Sequence, residues 1–208
     1  MPLKIAKKTS RKMVALDAFF PAIRKHISGP LELMMKQAVL DAAITFCRES
    51  LSCRDAVSFK EVIPDIAYRL TEDKGLKCIK RLRVLDITQP TRHWPGERLM
   101  VGQDFTAKSA NDITFKHAFH HVTVDFALEP RRDAHDIPDL LYDDHQDVIA
   151  MGALEDLFIM PGKPWTDPQR SHHFGVRFVE GYRRAFREAL DNSPISAFHN
   201  PVRQHEFF

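Results

Sequence analysis

Apolar positions recur at helical spacing over residues 31–50, where Leu33, Met34, Val39, Leu40, Ala43, Ile44 and Cys47 form one face, with Gln37 its one polar member. Glu32, Lys36, Asp41, Arg48 and Glu49 lie largely off that face. Gly29-Pro30 marks the start of this helix, because a proline in the first turn gives up an N–H that has no intrahelical partner. A shorter helix is expected over Asp17–Ile27, interrupted or begun at Pro21. From about residue 53 to 129 the period changes to two. Val57, Phe59 and Val62 alternate with polar residues, as do Ile79 to Ile87, Ile113 with Phe115, and Val122, Val124, Phe126 and Leu128. Turn-forming residues at Glu72–Gly75, Trp94–Gly96 and Ser109–Asp112 separate these strands, and Asp112–His117 with His120–Leu128 reads as a hairpin.

After Glu129-Pro130 the helical period returns. A helix is expected from Ile137-Pro138 to about Met160, stopped by Pro161-Gly162-Lys163-Pro164. Asp167 then serves as N-cap, with Pro168 at the first position of a final helix to about Leu190. The expected architecture is α+β: a helical bundle formed by N- and C-terminal helices (15–52 and 131–191), an inserted antiparallel β-rich subdomain (53–130), a basic arm (1–14) and an extended C-terminal tail (192–208). Pro161 and Pro164 fix the interhelical corner, Gly162 supplies its stop, and Trp165 is placed to pack against both helices.

Charge alters this picture at one end only. The chain of 208 residues carries 30 Lys and Arg against 28 Asp and Glu, a net charge of +2. Lys4, Lys7, Lys8, Arg11 and Lys12 fall in the first twelve residues without an acid, leaving 25 bases against 28 acids elsewhere. Such an arm is a candidate for facing DNA, where each neutralised phosphate releases counterions, and equally for a solvated terminus. It lacks the uninterrupted apolar stretch of a secretory signal, and no apolar run approaches the ~20 residues needed to span a bilayer. Three cysteines without C-x-x-C spacing suggest neither a disulfide framework nor a zinc knuckle, and Cys47 reads as a buried small hydrophobe.

Candidate chemistry is sparse. His117, His120 and His121, then His172 and His173, invite a metal reading, but H-E-x-x-H is absent and the first group sits on a strand or its turn. Asp136, Asp139 and Asp143 recur at helical spacing within an acidic stretch that also holds Asp133, Asp144 and Asp147. Acids there suit either a divalent cation, if joined by others, or the dipole at a helix start. No nucleophile elbow, Walker loop or dinucleotide fingerprint occurs, so neither an enzyme activity nor a cofactor is expected. The tail, with Phe198, Val202, Phe207 and Phe208, puts apolar weight on a stretch too short for its own core and reads as an interaction segment.

Two stretches carry a resemblance. Ile137-Pro138-Asp139-Leu140-Leu141, Ile149-Ala150-Met151-Gly152-Ala153-Leu154, Leu157 and Met160-Pro161-Gly162-Lys163-Pro164-Trp165 look like a signature of tailed-bacteriophage connector proteins at the head-to-tail junction. Leu40–Ser50 is similar to the opening helix of that family, with Ser50 where threonine is usual. The resemblance is strongest over about 31–53 and 135–190. It implies a non-enzymatic virion protein, made in the host cytoplasm, that forms a ring of typically twelve copies beneath the portal protein. Such a ring joins the capsid to the next protein, a tail tube, nozzle or stopper, and helps retain and conduct the genomic DNA in its channel. The family's C-terminal segment often reaches the portal, which makes Phe198, Val202, Phe207 and Phe208 portal-contact candidates. Two other readings remain open: a tail-associated accessory protein with a His/Asp metal-dependent hydrolytic site, involving His117 and His121, or a small DNA-binding module using the basic arm.

Overall fold

The computed structural model describes residues 11–89 and 96–191. Among them are five α-helices and nine strands in three antiparallel sheets. Strand β1 (Met13–Ala15) leads through a 3-10 turn, Leu16–Phe19, into the short helix α1 (Phe20–Arg24). Pro21 stands in its first turn, as expected of a residue without an N–H. Helix α2 (Glu32–Ser50) comes next, starting slightly later than Pro30 suggests, with Leu31 at its N-cap. Its end is a left-handed cap at Leu51 (φ 50°), whose N–H donates to the carbonyl of Cys47 at 3.1 Å.

The chain then enters β2 (Arg54–Val62), β3 (Ala67–Arg69), β4 (Leu76–Asp86), β5 (Glu97–Arg98), β6 (Phe105–Thr106), β7 (Asp112–Phe115) and β8 (Phe119–Pro130). The main sheet runs β2-β8-β4-β5, and a smaller one runs β3-β7-β6. The expected β7–β8 hairpin does not form. Strand β7 pairs with β3, putting Ile113 opposite Tyr68, while β8 pairs with β2 and β4. A cluster of rings joins the two sheets: Phe59 on Tyr68 at 5.0 Å, and Phe115 at 5.8 Å from both Tyr68 and Phe119.

The long helix expected after Ile137 is also corrected. Asp136–Pro138 is strand β9, paired antiparallel with β1, and Val14 faces Ile137. Pro138 has no amide hydrogen and takes an extended backbone there (ψ 135°), so the helix can start only after it. Helix α3 (Asp139–Asp143) is short, and a break at Asp144-His145 separates it from α4 (Gln146–Ile159). Helix α5 (Pro168–Asp191) closes the described chain.

A helical bundle carrying a small inserted β subdomain is therefore not the fold. One continuous core takes in Phe46 and Cys47 of α2, Ile149 and Leu157 of α4, Val124 and Phe126 of β8, and Ile113 and Phe115 of β7. Strand β8 shows why. Its first half alternates between buried and half-exposed residues, but Phe126 to Pro130 are all buried, because α2 packs across that end of the sheet. The pairing of β1 with β9, both outside residues 53–130, further ties the segments before and after the β-rich stretch together by backbone hydrogen bonds. The tail beyond Asp191, including Phe198, Val202, Phe207 and Phe208, lies outside the described residues, as do Lys4, Lys7 and Lys8.

Candidate functional site

The corner between α4 and α5 is assembled from hydrogen bonds that finish one helix and begin the next. The last carbonyls of α4 need partners from outside the helix. Trp165 Nε1–H donates to the carbonyl of Leu157 (3.1 Å), the amide of Asp167 to that of Phe158 (2.9 Å), and the hydroxyl of Thr166 to that of Met160 (2.5 Å). Gly162 takes a left-handed conformation (φ 68°) with open space around it. Asp167 Oδ1 then accepts from the amides of Gln169 (3.1 Å) and Arg170 (3.0 Å), an N-cap for α5 as its sequence position predicts.

Trp165 also reaches a second part of the fold. Its ring lies on Gly29, which has φ 109°, and a Cβ at that position would stand 2.8 Å from the ring carbon Cε3. The turn before α2 and the corner after α4 therefore meet at one end of the helix layer. Large aliphatic side chains stand exposed on the elements that reach it, Leu31 (70% exposed) and Leu33 (78%) at the start of α2 and Ile159 (54%) at the end of α4, with the exposed Arg24–Glu32 ion pair among them. Pro161 and Pro164 of the corner are exposed as well. Exposed aliphatic groups gathered at one place mark a surface that gains from being covered.

Three glycine contacts hold α5 against α4. Gly181 faces Val148, Gly152 faces Phe178 and Ala42, and Gly175 faces the carboxylate of Glu155; a Cβ at any of them would come within 3.0 Å of its neighbour. Ser171 adds a hydrogen bond to the carbonyl of Glu155 (2.9 Å). Beside this contact runs a groove of about 620 Å³, lined by Arg54, Asp144, His145, Val148, Arg184 and Glu188 among others. Burial holds His145 below the ordinary histidine value against the pull of Asp144 and Glu188, and its ring packs on Phe46 at 4.6 Å.

The basic arm divides at the edge of the described residues. The guanidinium of Arg11 is turned inward, donating to Cys53 Sγ (3.4 Å) and the carbonyl of Arg54 (3.0 Å) and pairing with Asp55 at 3.1 Å. It clamps the arm to the start of β2 and is not presented to a DNA backbone. Lys12 is exposed, 3.9 Å from Asp139.

Among the described residues no three His, Cys, Asp or Glu side chains converge as a metal-holding set. His120 and His121 are neighbours on β8, so they point to opposite faces; His120 lies 3.4 Å from Glu61, and His117 is exposed in the preceding turn. Asp136 sits on a strand and Asp139 and Asp143 on a helix of five residues, so the spacing of three acids along one helix does not exist. His172 and His173 occupy the exposed side of α5.

One buried charge is not anticipated by the sequence. Glu129, fully buried on β8, accepts from Arg48 Nε and Nη2 (2.5 and 2.8 Å) and from Lys77 (2.8 Å). Burial pushes its carboxyl up, but the hydrogen bonds from Arg48 and Lys77 outweigh that and hold it below the usual glutamate value. The alternation of Val122, Val124, Phe126 and Leu128 puts Glu129 on the polar face of β8, so the sequence pattern gives no signal of its burial. No protein-family model matches the chain, and no curated protein matches it. No helix among the described residues is long and apolar enough to cross a membrane.

Proposed function

We propose that this chain is a non-enzymatic structural adaptor, assembling as a ring that docks beneath the portal of a tailed bacteriophage and joins capsid to tail. The observation that carries the reading is the exposed aliphatic side chains of Leu31 and Leu33 at the start of α2 and Ile159 at the end of α4, on the two elements that the Trp165–Gly29 contact brings together. A rigid, hydrogen-bonded corner that presents aliphatic side chains is suited to burial against another subunit, because little conformational entropy is lost when it is covered. The resemblance of Ile137–Trp165 to the connector signature supports the same reading, since the corner is its final segment. Portal contact then belongs to the tail with Phe198, Val202, Phe207 and Phe208, and ring contact to the last two helices at the Pro161–Trp165 corner that joins them. Virion location, DNA in the channel and a tail tube, nozzle or stopper as the next partner are parts of the same proposal.

Co-sedimentation with the cognate portal tests it. The full chain should be monomeric alone and join the portal when mixed with it. A chain lacking Ser193–Phe208 should keep its circular dichroism and lose portal association. Undiminished association of the truncated chain would refute the role given to the tail.

A further inference from the structure

Helix α5 carries an outward face that the adaptor reading does not use. Its apolar side, Phe174, Phe178 and Ala185 with Gly175 and Gly181, is buried against α4 and α2. The exposed surface of the helix carries two sets of arginines, Arg170, Arg177 and Arg184 in one stripe at seven-residue spacing and Arg183 with Arg187 farther round, and the helix contains no lysine. Arg184 lies 4.0 Å from Glu188, and Arg170 lies 3.6 Å from Asp167 and over the ring of Phe158. Arg177, Arg183 and Arg187 form no ion pair within the described residues. The acids on this helix are Glu180, Glu188 and Asp191, so the exposed side is net cationic. At the N-terminal end the face continues into a groove of about 510 Å³, where Lys25 and His26 of the α1–α2 turn join Arg170 and His173, with Asp167 the one acid in its lining.

We infer that this face binds the phosphate backbone of duplex nucleic acid without reading its sequence. The arginines span about 25 Å of helix axis from Arg170 to Arg187, at 1.5 Å per residue. That length lies alongside roughly fifteen phosphate charges of a duplex, which carries one per ~1.7 Å of axis. Guanidinium groups suit phosphate oxygens because they donate two parallel hydrogen bonds. An acidic protein surface offers charge as well, but stable protein interfaces have an apolar centre. On this face Val176, 44% exposed, is the one large aliphatic side chain in the open. The composition therefore favours a polyanion held by charge and hydrogen bonds over a folded protein.

The test uses the full chain and a fluorescein-labelled duplex of mixed sequence, with affinity measured by anisotropy across a salt series. Wild-type protein should bind with a steep negative slope of log K against log salt. Combined Arg177→Gln, Arg183→Gln and Arg187→Gln should flatten that slope by about 2 to 3, equally for unrelated sequences, since each lost phosphate contact removes ~0.9. The matched Arg→Lys triple should keep most of the slope, which separates lost charge from a damaged helix. Combined Lys4→Gln, Lys7→Gln and Lys8→Gln should leave that increment in place. An unchanged slope in the arginine-to-glutamine triple, or loss of the whole slope in the arm variant, would overturn the inference. So would displacement of the duplex by polyglutamate at matched charge, which would assign the face to an acidic protein.

Discussion

Glu129 shows how one residue can couple the two halves of the fold. It leaves the main sheet near the end of β8 and meets Arg48 from α2 and Lys77 from β4, so a single carboxylate links a helix to two strands. Its partners are 48% and 40% exposed, which reduces the worth of the pair below that of a wholly buried one. Glu129→Gln should therefore cost roughly 1–3 kcal/mol at neutral pH, read from urea midpoints. Because the folded carboxyl titrates below its unfolded value, this stability is present above the ordinary glutamate range and is lost as pH falls through the folded value. The difference between wild type and Glu129→Gln should accordingly shrink in acid. A constant difference down to the acid transition would show that packing, and not charge, sets it. Gly29 makes a second residue-scale case. Gly29→Ala puts a methyl group against the Trp165 ring in a backbone conformation that L residues rarely adopt. Thermal unfolding should show a loss of about 1–3 kcal/mol, whereas Gly102→Ala meets no atom within 4 Å and pays for its backbone conformation alone.

At the scale of elements, α2 was legible as a helix from its long apolar period, but its face was misplaced: Leu33 and Gln37 are exposed, whereas Met35, Ala38, Ala42 and Phe46, off the expected face, are buried. Asp167 and Pro168 marked the start of α5 by local chemistry that the structure keeps. Asp167→Ala should cost ~1 kcal/mol, measured by chemical denaturation, with its effect confined to the start of that helix in amide exchange. The strands β2, β4, β7 and β8 were legible as well, unlike the two- and three-residue strands β1, β3, β5, β6 and β9, which are too short to show a period; strand partners were not legible. Alternation specifies which side of a strand is buried and says nothing about its neighbour, so β7 and β8 looked like a hairpin although their rings meet across two sheets. The helix expected from Ile137 failed at its start for a related reason. Ile137 and Leu141 are both fully buried, one on a strand and one on a helix, and helical spacing was fortuitous there. Of the candidate site, the Pro161–Trp165 corner was visible in the sequence, since prolines and glycine dictate a stop. Its contact with Gly29 joins residues more than a hundred positions apart and leaves no local trace. The arginines of α5 were in plain view, yet their shared exposure becomes significant only once the side bearing Phe174, Phe178 and Ala185 is known to be buried.

For the whole molecule, two of its surfaces have opposite character. One end of the helix layer carries exposed aliphatic side chains at Leu31, Leu33 and Ile159, and the outward side of α5 is cationic. A ring subunit has use for both, with one surface covered by protein and the other facing a polyanion. Leu31→Asp with Leu33→Asp leaves the core untouched, because both side chains are more than two-thirds exposed. It should preserve the monomer's melting temperature and prevent ring formation on the portal, a pairing that native mass spectrometry of the mixture can establish. Loss of both together would instead make these leucines part of the fold. The most direct measurement is electron cryomicroscopy of the full chain mixed with the cognate portal. The expected result is a ring of this protein seated under the portal, with the end bearing Leu31 and Ile159 buried between subunits. Portal particles without added density, at concentrations where both proteins are folded, would contradict the adaptor role.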